Sequence, residues 1–199
     1  MKKINPVPPQ ITGSFIDVVE VVTLKSKEQA RIFFELVSQR LLSVNEWGRY
    51  AGISEFKLLD KKGNKIDRQA AKGDYIRIDV PGPGTKSGRG YDWVKVESIV
   101  FQHSGDEQLI SLQVRPTHFP LGESAVTAHF LRHEATSTFI VRCLGKQVFA
   151  EEHGRNELPN TVEGSIVDRG RNFLVGIAAK LGMSYPQWKR LVKGLLAVD

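Results

Sequence analysis

An α+β fold in which one twisted antiparallel sheet closes around helices is predicted by three features of the 199-residue chain. Apolar residues recur with a period of two in short runs between residues 55 and 153. They recur with the helical period between 26 and 41, and again over the last 40 residues. Short turns rich in Gly, Asn and Asp separate the period-two runs, as an antiparallel meander requires.

Each element has its own signal. Residues 1–13 are rich in proline and read as an extended arm. The β-branched run Phe15-Ile16-Asp17-Val18-Val19-Glu20-Val21-Val22 reads as a strand. Ser26 and Gln29 have capping-box spacing, and Ala30, Phe33, Phe34, Val37 and Leu41 share one face of the helix that follows. Residues 44–51, with Trp47, form a second short helix or turn. Strands are expected at 55–59, 74–80, 92–101, 108–115, 125–133, 137–144 and 147–153. Asn160 or Thr161 caps a helix through Ile166, Phe173, Leu174, Ile177 and Leu181, which stops at Gly182. Ser184, Pro186 and Gln187 start another, with Trp188, Leu191, Val192, Leu195 and Leu196 on one face. The expected organisation is an arm (1–13), one domain (14–182) and an appended C-terminal helix (183–199).

Composition bounds the function. With 41% hydrophobic and 25% charged residues, the chain can bury one good core. No apolar stretch approaches the roughly 20 residues that cross a bilayer. The prolines at 6, 8 and 9 interrupt any signal-peptide core, so a cytoplasmic location is expected. Cys143 is the single cysteine, which excludes an internal disulfide and a multi-cysteine zinc site. The net charge of +6 attracts anionic surfaces, but the Lys and Arg residues are scattered along the chain. Their nearest approach to a cluster, Lys61, Lys62, Lys65, Arg68 and Lys72, reads as a solvated hairpin and loop, so no strong nucleic-acid signal results.

The order of one strand, two helices, a meander and a closing helix resembles the START/polyketide-cyclase-like superfamily over roughly residues 12–181. Gly73-Asp74-Tyr75-Ile76-Arg77-Ile78-Asp79-Val80-Pro81, followed by Asp92-Trp93-Val94-Lys95-Val96-Glu97, looks like the paired central strands of that group. Trp47 falls where its members often carry a tryptophan. The resemblance implies a helix-grip fold, a curved sheet of about six to eight strands wrapped around a long C-terminal helix. It also implies a cavity that holds an apolar or amphipathic small molecule. The break at Gly182–Pro186 and the Trp188 helix depart from the usual pattern.

No motif assigns a catalytic residue, a cofactor or a metal. The segment Pro81-Gly82-Pro83-Gly84-Thr85-Lys86-Ser87-Gly88-Arg89-Gly90 lacks the glycines of a phosphate loop and joins two strands. It reads as a mobile hairpin flap, with a lid or an anion contact through Lys86 and Arg89 as the alternative. His129 and His133, four residues apart, lack a third metal ligand. Glu151, Glu152 and His153 end a strand in which Val148, Ala150 and Glu152 share a face, making Glu152 the inward candidate for acid–base work. Cys143 alternates with Phe139 and Val141 and reads as core.

Three functions follow from these residues. The first is non-catalytic binding of a hydrophobic small molecule in a cavity walled by Phe33, Trp47, Trp93, Phe139, Phe173 and Ile177, with Glu152 as its polar member. The second is a scaffold that docks a protein partner through Trp188, Leu191 and Leu195, because a basic amphipathic helix suits such a surface or an anionic membrane. The third is a cyclase- or hydrolase-type enzyme using Glu152 or His153.

Overall fold

The computed structural model describes residues 5–52, 54–79, 85–162, 167–170, 172 and 185–198. Seven strands form one antiparallel sheet: β1 (Ser14–Thr23), β2 (Glu55–Leu59), β3 (Tyr75–Asp79), β4 (Asp92–Ser104), β5 (Glu107–Pro116), β6 (Thr136–Leu144) and β7 (Gln147–Glu157). Their order is β1-β7-β6-β5-β4-β3-β2. The first strand therefore pairs with the last, and the chain crosses the whole sheet before β2. It makes that crossing through α1 (Lys27–Leu42), a 3-10 turn (Val44–Glu46) and α2 (Gly48–Ala51), and α3 (Tyr185–Leu195) follows the sheet.

The crossing is built as the sequence suggests. Ser26 is extended, and its hydroxyl accepts the Gln29 N–H at 3.1 Å, which satisfies one of the orphan donors of the α1 N-terminus. Ala30, Phe33, Phe34, Val37 and Leu41 are buried against the sheet. Trp47 anchors the far end. Its indole N–H donates to the Leu41 carbonyl at 3.0 Å, and its ring lies 4.8 Å from Phe139 and 5.5 Å from Phe56.

The inner face of the sheet and these helices share one continuous core. Helix α3 belongs to it. Leu191 and Leu195 are each 1% exposed, and Trp188 meets Phe139 edge-on at 5.5 Å. Gly194 permits the approach, because a Cβ there would stand 2.6 Å from Tyr50 Cβ. The Arg40 guanidinium also donates to the Leu195 carbonyl at 3.0 Å.

One expectation is revised, and another falls largely outside the described residues. Residues 125–133 form a loop joined to the rest by an isolated bridge, Leu131 to Pro159. Its backbone is divided between scattered backbone bonds, such as Trp93 N–H to the Ala128 carbonyl and Ala128 N–H to the Thr117 carbonyl at 2.9 Å each, and side chains: Phe130 N–H donates to Asp92 at 3.1 Å, and the Asn160 amide donates to the carbonyls of Thr127 and His129. Those bonds replace a strand ladder. The expected long C-terminal helix falls largely on residues outside the described ones; within its span 167–170 and 172 are described and are helical. The helix described in full is α3, of 11 residues.

Residues 5–13 run against the sheet end. Asn156, at φ 57°, holds them there, its side-chain oxygen accepting Ile11 N–H at 2.7 Å and Thr12 N–H at 3.1 Å. Asn is one of the few side chains that tolerates this left-handed backbone.

Candidate functional site

Consecutive residues of β7 face opposite sides, and the two sides treat their charges differently. On the outer face Glu151, His153 and Arg155 are fully engaged. Glu151 accepts from Arg142 at 2.9 Å, and its other oxygen lies 2.9 Å from His153 Nε2. His153 Nδ1 lies 2.5 Å from Asp17, which also pairs with Arg155 at 2.7 Å. Burial alone would lower the His153 pKa, but these carboxylates on both ring nitrogens more than offset it and hold the ring cationic to a higher pH. Burial would likewise raise Glu151, yet His153 and Arg142 bring its pKa below the ordinary value.

On the inner face Glu152 has no such company. It stands between Val18 of β1 and Phe139 of β6 in the sheet register, in the row that begins with Val148 and Ala150. The side chain is 0% exposed, and neither carboxyl oxygen has a hydrogen-bond partner among the described residues. Burial pushes its pKa well above the usual carboxylate range and nearby Glu157 adds to the effect, while the Ser137 hydroxyl, too poorly placed for a full hydrogen bond, and the charge of Arg155 offset only part. Burial thus favours the protonated, neutral form of this carboxyl.

Glu157 joins it by a change of register. Ser14 opposes Glu157 while Ile16 opposes Gly154, so β7 carries one extra residue across this stretch. A bulge of one residue reverses the alternation beyond it. Glu157, odd-numbered like the outward Arg155, is thereby returned to the side of Glu152. Its carboxyl occupies the space left by Gly154, where a Cβ would collide with Glu157 Oε1 and stand 2.5 Å from Ile16 Cγ2. Burial raises the Glu157 pKa to about 7, against the pull of Arg155. Two acids thus share one apolar face, and the cation that acts on both is bonded on the opposite side. The bulge leaves no clear signal in the sequence. Asn156 is its only trace.

The other candidate residues are distributed as follows. Phe33, Trp47 and Phe139 are in the inner core. Trp93 lies on the outer face, with Leu59, Tyr75 and Ala128, because Val94 and Val96 take the inward positions of β4. Phe173 and Ile177 lie outside the described residues. The backbone N–H of Lys86 donates to Asp168 at 2.6 Å, and the Arg89 guanidinium sits 4.8 Å over the Phe119 ring. Phe119 in turn packs on Trp93, so Arg89 belongs to the outer face and is remote from the two acids. Leu191 and Leu195, proposed as docking residues, are covered by their own domain.

Glu152 and His153 do not meet, since they face opposite sides of β7. His129 Nδ1 accepts the Leu131 N–H at 3.0 Å and His133 contacts the Pro116 carbonyl. Among the described residues no group of three or more His, Cys, Asp or Glu side chains is arranged to hold a metal. Cys143 is buried beside Val141, and burial raises its thiol pKa. No described helix is long and apolar enough to cross a membrane.

No family model matches the chain, and no curated protein matches it. Among solved structures, a hypothetical protein of Helicobacter pylori matches with a TM-score of 0.54 at 14% identity, covering 97% of this chain and 98% of that one. The two share a fold. Looser matches include norcoclaurine synthase from Thalictrum flavum (TM-score 0.39, 9% identity, 96% of this chain and 100% of that one). A major latex-like protein from Panax ginseng matches at a TM-score of 0.37 and 11% identity, over 83% of this chain and 94% of that one.

Proposed function

We propose that the protein binds an amphipathic small molecule between the inner sheet face and the helices, without transforming it. The observation that carries this reading is Glu152. A carboxyl withdrawn from water, with neither oxygen bonded among the described residues, costs several kcal/mol even when protonated. Packing alone gives no return for that cost, whereas a guest that offers a hydrogen-bond donor does. Glu157 supplies a second acceptor on the same face, and Val18, Ile16, Phe139 and Trp188 supply apolar surface for the rest of the guest. The arrangement of one strand, two helices and six further strands, which resembles the helix-grip superfamily, agrees with this reading. So does the sequestration of the helix face Trp188–Leu195, which removes the surface a docking scaffold would use.

The test is uptake of an apolar fluorescent dye, followed by its displacement with alkyl chains of equal length and different head groups. The reading predicts saturable uptake with one dye per chain, and displacement about tenfold stronger by chains whose head group donates a hydrogen bond, which corresponds to about 1.4 kcal/mol. Glu152→Leu should abolish that preference while retaining dye. A folded protein that takes up no dye would overturn the reading.

A further inference from the structure

The outer face of the sheet gathers cations that are far apart in the sequence. In register, Lys57 of β2 lies directly opposite Arg77 of β3, and Lys95 of β4 lies directly opposite Arg115 of β5. Tyr75 pairs with Lys95 and Arg77 with Trp93, which locks the two pairs into one block across four strands. All four are half-buried, and all four face away from the core, because Phe56, Ile76, Val94 and Val114 occupy the inward positions beside them.

Like charges placed directly opposite on neighbouring strands oppose folding. A domain usually relieves this with ion pairs to interleaved acids. Glu55, Asp79 and Glu97 stand one step along the strands, but none forms an ion pair with the block among the described residues. The cations rest on other groups. Arg77 stacks 4.1 Å over the Tyr91 ring, with its Nε buried and without a partner among the described residues. Lys95 lies 5.7 Å over Tyr75, and Arg115 donates to the carbonyl of His133 at 2.9 Å. Arg89 on Phe119 extends the surface on one side.

We propose that this basic and aromatic face is a binding surface for single-stranded nucleic acid. Four cations that form no ion pair among the described residues match a phosphate backbone. The half-buried rings of Tyr91 and Phe119, each carrying a guanidinium on one face, leave aromatic surface beside the cations for unpaired bases. A membrane surface fits less well, because no exposed large apolar side chain stands within the block to enter a bilayer. This inference is independent of the small-molecule site, which lies on the opposite face of the sheet.

The experiment is fluorescence anisotropy of a labelled twelve-nucleotide oligothymidine with the full chain, titrated from low to physiological salt. Binding is expected, with a log–log salt slope of about −3, from roughly 0.7 per phosphate over four contacts. The double variant K57E/K95E should weaken binding at least tenfold with an unchanged circular dichroism spectrum. K25E/K146E, which changes net charge equally at exposed positions elsewhere, should bind as the parent does. Three results would each overturn the proposal. They are no anisotropy change at low salt, equal losses in both variants, and association with phosphatidylserine vesicles but not with the oligonucleotide.

Discussion

Glu157→Gln should stabilise the protein above neutral pH. In the unfolded chain this carboxyl has its ordinary pKa of 4.5, and in the fold burial raises it to about 7. Between those values the native state holds a proton that the unfolded chain has released, so stability falls as pH rises from 4.5 through 7. The full difference, about 2.5 pKa units at 1.36 kcal/mol each, is on the order of 3 kcal/mol. Glutamine mimics the protonated acid in size and charge, so the variant escapes this loss. Urea unfolding of both proteins at pH 5, 6, 7 and 8 measures it. At pH 5 the two curves should nearly coincide, and by pH 8 the variant should be more stable by about 3 kcal/mol. His153 also loses its contribution as pH rises, since its folded pKa is raised as well. That slope is common to both proteins and cancels in the difference. Coincident stabilities at pH 8, or a parent whose stability rises from pH 5 to 8, would refute the placement of Glu157 on the inner face.

The remaining predictions concern how this face is built. Gly154→Ala should lower stability by about 1–3 kcal/mol through overpacking against Glu157 and Ile16, and adding Glu157→Ala should recover part of the loss, as a double-mutant cycle in urea would show. Asn156→Ala should cost about 1–3 kcal/mol and expose residues 5–13 to limited proteolysis, because it combines a left-handed backbone with the loss of the bonds to Ile11 and Thr12. Trp47→Ala should cost about 3–5 kcal/mol in the same assay.

Much of this architecture is legible where it depends on near neighbours. Helix α1 announces itself through Ser26, Gln29 and the stripe from Ala30 to Leu41. The hairpins β4–β5 and β6–β7 follow from alternation around Ser104-Gly105-Asp106 and Gly145-Lys146. The inward sense of Glu152 follows from Val148 and Ala150. What could not be read depends on distant partners. Residues 125–133 carry a strand-like composition, but Asp92 and Asn160, remote in sequence, capture their backbone. The pairing of β1 with β7 is non-local, and the bulge before Glu157 is a property of that pairing. The block of Lys57, Arg77, Lys95 and Arg115 is invisible in a chain whose cations look scattered, because strand register alone brings them together.

The most direct measurement is native mass spectrometry of protein purified gently from its own cells, followed by solvent extraction of whatever it carries. A reproducible bound mass of a few hundred daltons, about what a 300–1,000 Å³ site holds, is the predicted result, with occupancy lowered in Glu152→Leu. A clean unliganded mass that does not change when amphiphiles are added would contradict the account.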